Sequence, residues 1–108
     1  MRQLGLHVLG LPESPVDAAR EFYAVHVPTV HDALEGARVK GDEFTLTLMF
    51  PSADHTHAAW RLAAVQGLAR DAAPIRINGL VGDDEAALKA ALAYLAEAAG
   101  ITGQLLEV

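Results

Sequence analysis

Apolar positions along the chain form two kinds of pattern. Short apolar runs typical of strands lie at residues 4–11, 44–50, 75–80 and 101–108. Between them lie three longer segments in which apolar residues recur every three or four positions, as on one face of a helix. Strands that alternate with helices over short connections predict right-handed β-α-β units and a mostly parallel sheet. We therefore expect one α/β domain over residues 1–108, in the order β-α-β-α-β-α-β.

The first helix has clear signals at both ends. Ser14 is a typical N-cap residue, and Pro15 follows it at the first helical position. Pro28 lies inside the helix, where it lacks a backbone N–H and collides with the preceding turn, so we expect a kink there. Gly36 is predicted to end the helix, and the polar residues 37–43 then connect it to the second strand.

The second helix is apolar on nearly every side. It is predicted to begin near Asp54 or Thr56 and to end at about residue 72. A helix that is apolar all round is buried on more than one side, whereas a single sheet covers only one. We therefore predict a partner surface on this helix, formed by Trp60, Ala64, Val65 and Leu68. The alternative is an alanine-rich surface helix, because alanine is the best helix former and only mildly hydrophobic.

Composition excludes several classes of protein. The chain has no cysteine, which excludes disulfide scaffolds, thiolate zinc sites and thiol catalysis. A net charge of −6 argues against a nucleic-acid surface. No apolar run approaches the roughly 18 residues of a membrane span, and the first residues lack the order of a signal peptide. We expect a cytoplasmic domain with no nucleic-acid or membrane partner.

Two local patterns suggest ligand sites but have simpler explanations. Asp54, His55 and His57 could provide three zinc ligands, yet a polar loop in which Asp54 or Thr56 caps the next helix explains them as well. Residues 79–82 resemble a phosphate-binding turn, but the acids at 83–85 that open the third helix would repel phosphate. We therefore expect no metal and no phosphate at these two places.

Three motifs in the second half resemble the short-chain dehydrogenase/reductase (SDR) family. Residues 63–70, AAVQGLAR, are similar to the family's AAVxGLTR helix, and residues 73–78, APIRIN, to its AP and IRVN segments. Residues 101–104, ITGQ, resemble the approach to its last strand. The resemblance implies a Rossmann-like minimal parallel sheet, equivalent to a truncated C-terminal half of the family fold.

Most of the groups that give this family its activity have no counterparts in the chain. The family's Tyr-x-x-x-Lys pair falls at Ala58 and Leu62, and its active-site asparagine falls at His26. Ser52 stands where the family has its catalytic serine. The Gly-rich turn that holds the cofactor pyrophosphate is also missing. The resemblance therefore implies a degenerate site with His26 and Ser52 as remnants, and we expect neither NAD nor NADP as a cofactor.

Three functions fit these observations. The first is a non-catalytic assembly domain, most simply a homodimer through the first two helices, which in the resembled family form a four-helix bundle across a two-fold axis. The second is an accessory subunit that pairs with a full-length SDR dehydrogenase. The third is a small-ligand protein or enzyme that reuses the old cleft through His26, Ser52, His55 and His57. The third requires His26 and Ser52 to converge in one pocket.

Overall fold

A four-stranded parallel sheet forms the centre of the protein. The computed structural model describes residues 2–41 and 44–108. The strands lie side by side in sequence order and every pair is parallel. This confirms the predicted α/β class and the Rossmann-like parallel sheet. The strands are β1 (Arg2–His7), β2 (Phe44–Phe50), β3 (Arg76–Val81) and β4 (Leu105–Glu107).

Three helical connections join the four strands, as the alternating pattern predicts. The first connection has three parts: α1 (Pro15–Glu21), a π-helical segment (Phe22–His26) and α2 (Val27–Lys40). The second consists of a 3₁₀ turn (His55–His57) and α3 (Ala58–Ala72), and the third is α4 (Glu85–Glu97). Within the described ranges, no helix has the length and apolar character needed to cross a membrane.

The first connection accommodates Pro28 by widening the turn before it. The N–H of Val27 donates to the carbonyl of Phe22, five residues back, which is the hydrogen bond of a π-helix. Pro28 itself has no N–H, and its ring crowds the carbonyl four residues earlier. The wider turn makes room for that ring, so the chain remains helical through the position where the sequence predicts a kink.

The predicted end of this helix at Gly36 is wrong. The helix continues to Lys40, and Ala37 in its last turn is buried. Gly41 takes the left-handed conformation with φ of 71° and donates its N–H to the carbonyls of Ala37 and Arg38. Helices often end with a residue in that conformation, which glycine adopts without strain, so Gly41 ends this helix. The rest of the predicted connection, residues 42 and 43, lies outside the described residues.

The first and last strands are shorter than predicted. β1 ends at His7, since the chain turns at Gly10, where φ is 77°. β4 begins at Leu105, after a second left-handed glycine, Gly103, with φ of 72°. Positive φ angles cannot continue a strand, so apolar character alone overestimates both elements.

The two faces of the sheet carry separate hydrophobic clusters. Alternate residues of a strand point to opposite faces, and all seven residues of β2 are buried. Leu46, Leu48 and Phe50 pack under the π-helical segment, α2 and α3, whereas Met49 packs with Leu80 under α4. Every crossover moves one strand further in the same direction, but the third passes over the opposite face. Its hand is therefore opposite to that of the other two, so the prediction that the β-α-β units are all right-handed is wrong.

The motifs that carry the family resemblance fasten the connection between α4 and β4. Asn78, fully buried in β3, donates to the carbonyl of Ile101 and accepts the N–H of Gln104, both at 3.0 Å. The Thr102 hydroxyl accepts the N–H of Ile77 at 3.2 Å. These contacts hold residues 101–104 against β3, so the motifs have a structural role.

Candidate functional site

A cleft of about 570 Å³ opens where β1 and β2 end. One wall is the loop 10–13 that follows β1, and the other is the loop 51–54 that follows β2. His57 and Arg61 complete the lining. Open parallel α/β sheets bind their ligands outside the carboxyl ends of the strands, so this cleft is the candidate site.

Ser52, one of the two predicted remnant residues, lines this cleft but is bonded to Asp83. The backbone N–H of Ser52 donates to Asp83 Oδ1 at 3.0 Å, and its hydroxyl bonds the same carboxylate. Asp83 follows β3, so these contacts join the ends of β2 and β3. Hydrogen bonds to the charged carboxylate lower the pKa of Asp83. Ser52 therefore has a structural partner in place of a base that could activate it.

We expect Asp83 to make the stability of the protein pH-dependent in acid. Its pKa is lower in the folded state than in the unfolded chain, so its stabilising effect is complete above the unfolded pKa. The effect disappears as pH falls through the folded pKa. In urea unfolding between pH 6 and pH 2, wild type should lose stability more steeply below about pH 4 than Asp83→Asn. Superimposable pH profiles for the two proteins would contradict this assignment.

His57 is buried and hydrogen-bonded at both ring nitrogens. Its Nδ1 lies 3.0 Å from the indole N–H of Trp60, which can only donate. Its Nε2 lies 2.9 Å from the carbonyl oxygen of Glu13, which can only accept. The neutral tautomer with the proton on Nε2 satisfies both contacts. His57 thus ties the loop after β1 to α3, and neither nitrogen is available to a metal.

Asp54 caps the 3₁₀ turn, one of the two roles that the sequence allows it. Its carboxylate accepts the backbone N–H of Thr56 at 2.9 Å and also the Thr56 hydroxyl. These bonds, the hydroxyl contact first, lower the pKa of Asp54. His55 next to it is exposed. Within residues 2–41 and 44–108, no group of three or more metal-binding side chains converges.

Arg61 is the most unusual group of the cleft, since it is a buried cation that lacks an acidic partner in the described part of the chain. Only 4% of the residue is exposed. Its Nη1 donates to the carbonyl of Pro51 at 2.8 Å, and its Cζ lies 4.9 Å from the centre of the Phe50 ring. Its Nε has no hydrogen-bond partner. Burial lowers the pKa of Arg61, although a guanidinium remains charged in proteins.

The structure does not bring His26 into the cleft. His26 is half-buried and stacks on Phe22, with ring centres 5.8 Å apart. Phe22 in turn packs on Phe50 and Trp60. His26 is therefore part of an aromatic cluster in the first helical connection, and it does not line the cavity that Ser52 lines.

The two residues that line the cleft at a four-residue spacing are not the two that the family resemblance indicates. Ala58 and Leu62, at the positions of the family's tyrosine and lysine, are exposed and do not line the cleft. His57 and Arg61 have the same four-residue spacing, one position earlier, and both line it. Arg61 is a polar member of a largely apolar helix and is not among the site residues predicted from the sequence. The signal in the sequence that could have indicated this pair is an arginine one helical turn after a histidine.

The predicted interface residues belong to the interior of the single chain. Ala64, Val65 and Leu68 are buried in the larger hydrophobic cluster, and Trp60 packs against it. These side chains cover the sheet and are not available to a partner. The side chains that α3 exposes are different ones: Ala58, Ala59, Leu62, Ala63, Gln66, Arg70 and Asp71.

A parallel sheet with helices on both faces and a cleft at its carboxyl edge defines a Rossmann-like α/β domain. A model of the SDR-like family, described as short chain dehydrogenase-like protein, matches residues 6–108. The chain therefore belongs to the SDR-like family, in agreement with the motifs in its second half. No curated protein and no solved structure matches it significantly.

Proposed function

We propose that this SDR-like protein is a non-catalytic assembly domain that forms a homodimer through its first two helical connections. The observation that carries the proposal is the composition of the first turn of α3. Ala58 and Leu62 occupy the positions of the family's proton-transfer pair, and neither side chain can carry a proton. Ser52 and His57 are held by other protein groups, so they offer no obvious replacement.

The outer surface of the first two connections supports a second copy of the chain as the partner. Tyr23 is 52% exposed, Val25 50% and Leu62 37%, although all three are large and apolar. Ala59 and Ala63 on α3 are exposed as well, and such small residues let another helix approach closely. We call these five residues the outer helix surface. A two-fold axis would place two such surfaces together as a four-helix bundle.

We expect Leu62→Glu to dissociate this dimer. A carboxylate in the outer helix surface would be desolvated and would meet its symmetry mate, so the dimer Kd should rise about 100-fold or more. The measurement is the solution mass by light scattering over a concentration series. Leu9→Glu is the matched control, because Leu9 is 64% exposed and lies after β1, away from this surface.

Each outcome of the mass measurement selects one of the proposed roles. Wild type and Leu9→Glu should be dimers at concentrations where Leu62→Glu is a monomer. A wild-type protein that is a monomer throughout would contradict homodimerisation. It would favour the accessory role, in which the outer helix surface pairs with a full-length dehydrogenase. That role predicts a stable mixed complex in which Leu62→Glu again fails to assemble.

A small-ligand protein is the second candidate function, and one observation favours it. The cleft is large enough for a small organic molecule, and it contains a buried charge for which the described part of the chain provides no counter-ion. Ligand pockets typically combine an apolar lining with a few polar groups that fix orientation. This function is compatible with a dimer, since the cleft and the outer helix surface involve different residues.

A further inference from the structure

The guanidinium of Arg61 combines two features that rarely occur together. It is almost completely buried, and no carboxylate pairs with it among residues 2–41 and 44–108. A buried charge without a counter-charge is expensive, because burial removes its hydration. The Pro51 carbonyl and the rings of Phe50 and Trp60 compensate in part. They leave the positive charge itself unbalanced.

The part of the guanidinium without a protein acceptor is the part that recognises oxyanions. Nη1 is held by the Pro51 carbonyl, and this bond fixes the plane of the group. Nε has no hydrogen-bond partner, and no acceptor in the described residues binds Nη2. The N–H groups of Nε and Nη2 are parallel, and such a pair binds the two oxygens of a carboxylate at once.

We propose that Arg61 binds the carboxylate of a small organic acid in the cleft between the loops 10–13 and 51–54. The cleft walls contribute apolar surface for the body of such a molecule from Leu11, Pro12, Pro51 and Ala53. A volume of about 570 Å³ lies within the range of small-molecule pockets. The proposal goes beyond assembly, because it assigns a ligand class to the cleft of each protomer.

The acidic residues around Arg61 disfavour a ligand with more than one negative charge. Glu13 and Asp54 line the same cleft, and Glu107 lines a smaller cavity of about 150 Å³ that Arg61 also borders. Asp54 is directed to Thr56, so it does not neutralise Arg61. These carboxylates repel a doubly charged phosphate more strongly than a carboxylate with one charge, so Arg61 suits the carboxylate better.

Benzoate tests the proposal on the intact protein. Benzoate is titrated into ¹⁵N-labelled wild type while the Nε–H resonance of Arg61 and the Tm are followed. That resonance is assigned by its absence in Arg61→Lys. Acetate tests the carboxylate alone, inorganic phosphate tests the competing oxyanion, and NADPH tests the family's cofactor. Arg70→Met is the control for loss of an exposed arginine from the same helix.

We expect benzoate to shift the Arg61 resonance in a saturable way and to raise the Tm, as a ligand of the native state must. Arg61→Met should weaken benzoate binding by about 10-fold or more, and Arg61→Lys should not restore it, because lysine lacks the planar fork. Arg70→Met should bind like wild type. Phosphate and NADPH should give no saturable shift.

Three results would overturn the proposal. The first is an Arg61 resonance that stays unmoved by benzoate and acetate. The second is saturable binding of phosphate without binding of benzoate, which would indicate a phosphate site. The third is equal benzoate binding by wild type and Arg61→Met. If Arg61→Met does not fold, the wild-type titration still decides, because the resonance reports on the proposed contact itself. None of these readouts depends on dimer formation, so the two proposals fail separately.

Discussion

Replacement of Arg76 by methionine is expected to lower the free energy of unfolding by about 3 kcal/mol. Arg76 is buried in β3, and its guanidinium lies at the C-terminal end of α4. Its Nη1 lies within hydrogen-bonding distance of three backbone carbonyls and its Nη2 within that distance of a fourth. The acceptors are Leu95 at 3.0 Å, Ala98 at 2.7 Å, Ile101 at 3.2 Å and Ala96 at 3.3 Å.

The size of this effect depends on the backbone carbonyls that lose their hydrogen-bond donor when methionine replaces Arg76. The last carbonyls of a helix have no partner within the helix, and they form its negative end, where a cation is favourable. A hydrogen bond to a charged group contributes about 1.5–3 kcal/mol, and the two shortest bonds dominate. Removing a buried charge also removes its desolvation cost, so the net loss is smaller than the sum.

Urea unfolding measures the Arg76 effect, and Arg20→Met provides the control. The Arg20 side chain is 81% exposed and pairs with Asp17 at 3.5 Å on the surface of α1. Exposed pairs contribute little, so this variant should change stability by less than about 0.5 kcal/mol. Hydrogen exchange should also accelerate first in β4, because Arg76 holds the connection that leads into it. Equal stability of the two variants would contradict the assigned role of Arg76.

Sequence patterns predicted the fold class and the central elements, because these depend on local signals. β2 has the predicted bounds, Phe44–Phe50, since five of its seven residues are apolar and Pro51 stops it. The helix that begins at Pro15 was recognisable because Ser14 caps it, and the structure confirms that cap. The errors lie at glycines. Gly36 and Gly41 look alike in sequence, and only the backbone geometry shows that Gly41 ends the helix.

The candidate site was much harder to predict, because its contacts join residues that are far apart in the chain. His57 owes its fixed tautomer to the carbonyl of Glu13, 44 residues earlier. Arg61 is buried because Phe50 and Pro51 contact the first turn of α3. The spacing of apolar residues along the chain does not predict that contact. The family motifs drew attention to Ala58 and Leu62, whereas the cleft is lined by the residues immediately before them.

Ala64→Glu and Ala63→Glu should differ in their effects more than any other neighbouring pair on α3. The two alanines are identical to any sequence pattern, yet Ala64 is 1% exposed in the core and Ala63 is exposed on the outer helix surface. A glutamate at Ala64 must be protonated or unpaired inside the core and must displace its neighbours. The expected cost is about 4–6 kcal/mol, enough to unfold a marginally stable domain.

At Ala63 the same substitution should leave the chain folded, as circular dichroism and urea unfolding would verify, and should only weaken the dimer. If the Ala64→Glu protein folds, α3 must be rotated about its axis so that residue 64 does not face the core. A dimer unaffected by Ala63→Glu would move the partner surface away from α3. The pair of variants therefore distinguishes the buried side of α3 from its exposed side. The sequence alone does not, because alanine is small enough for a core and only mildly hydrophobic on a surface.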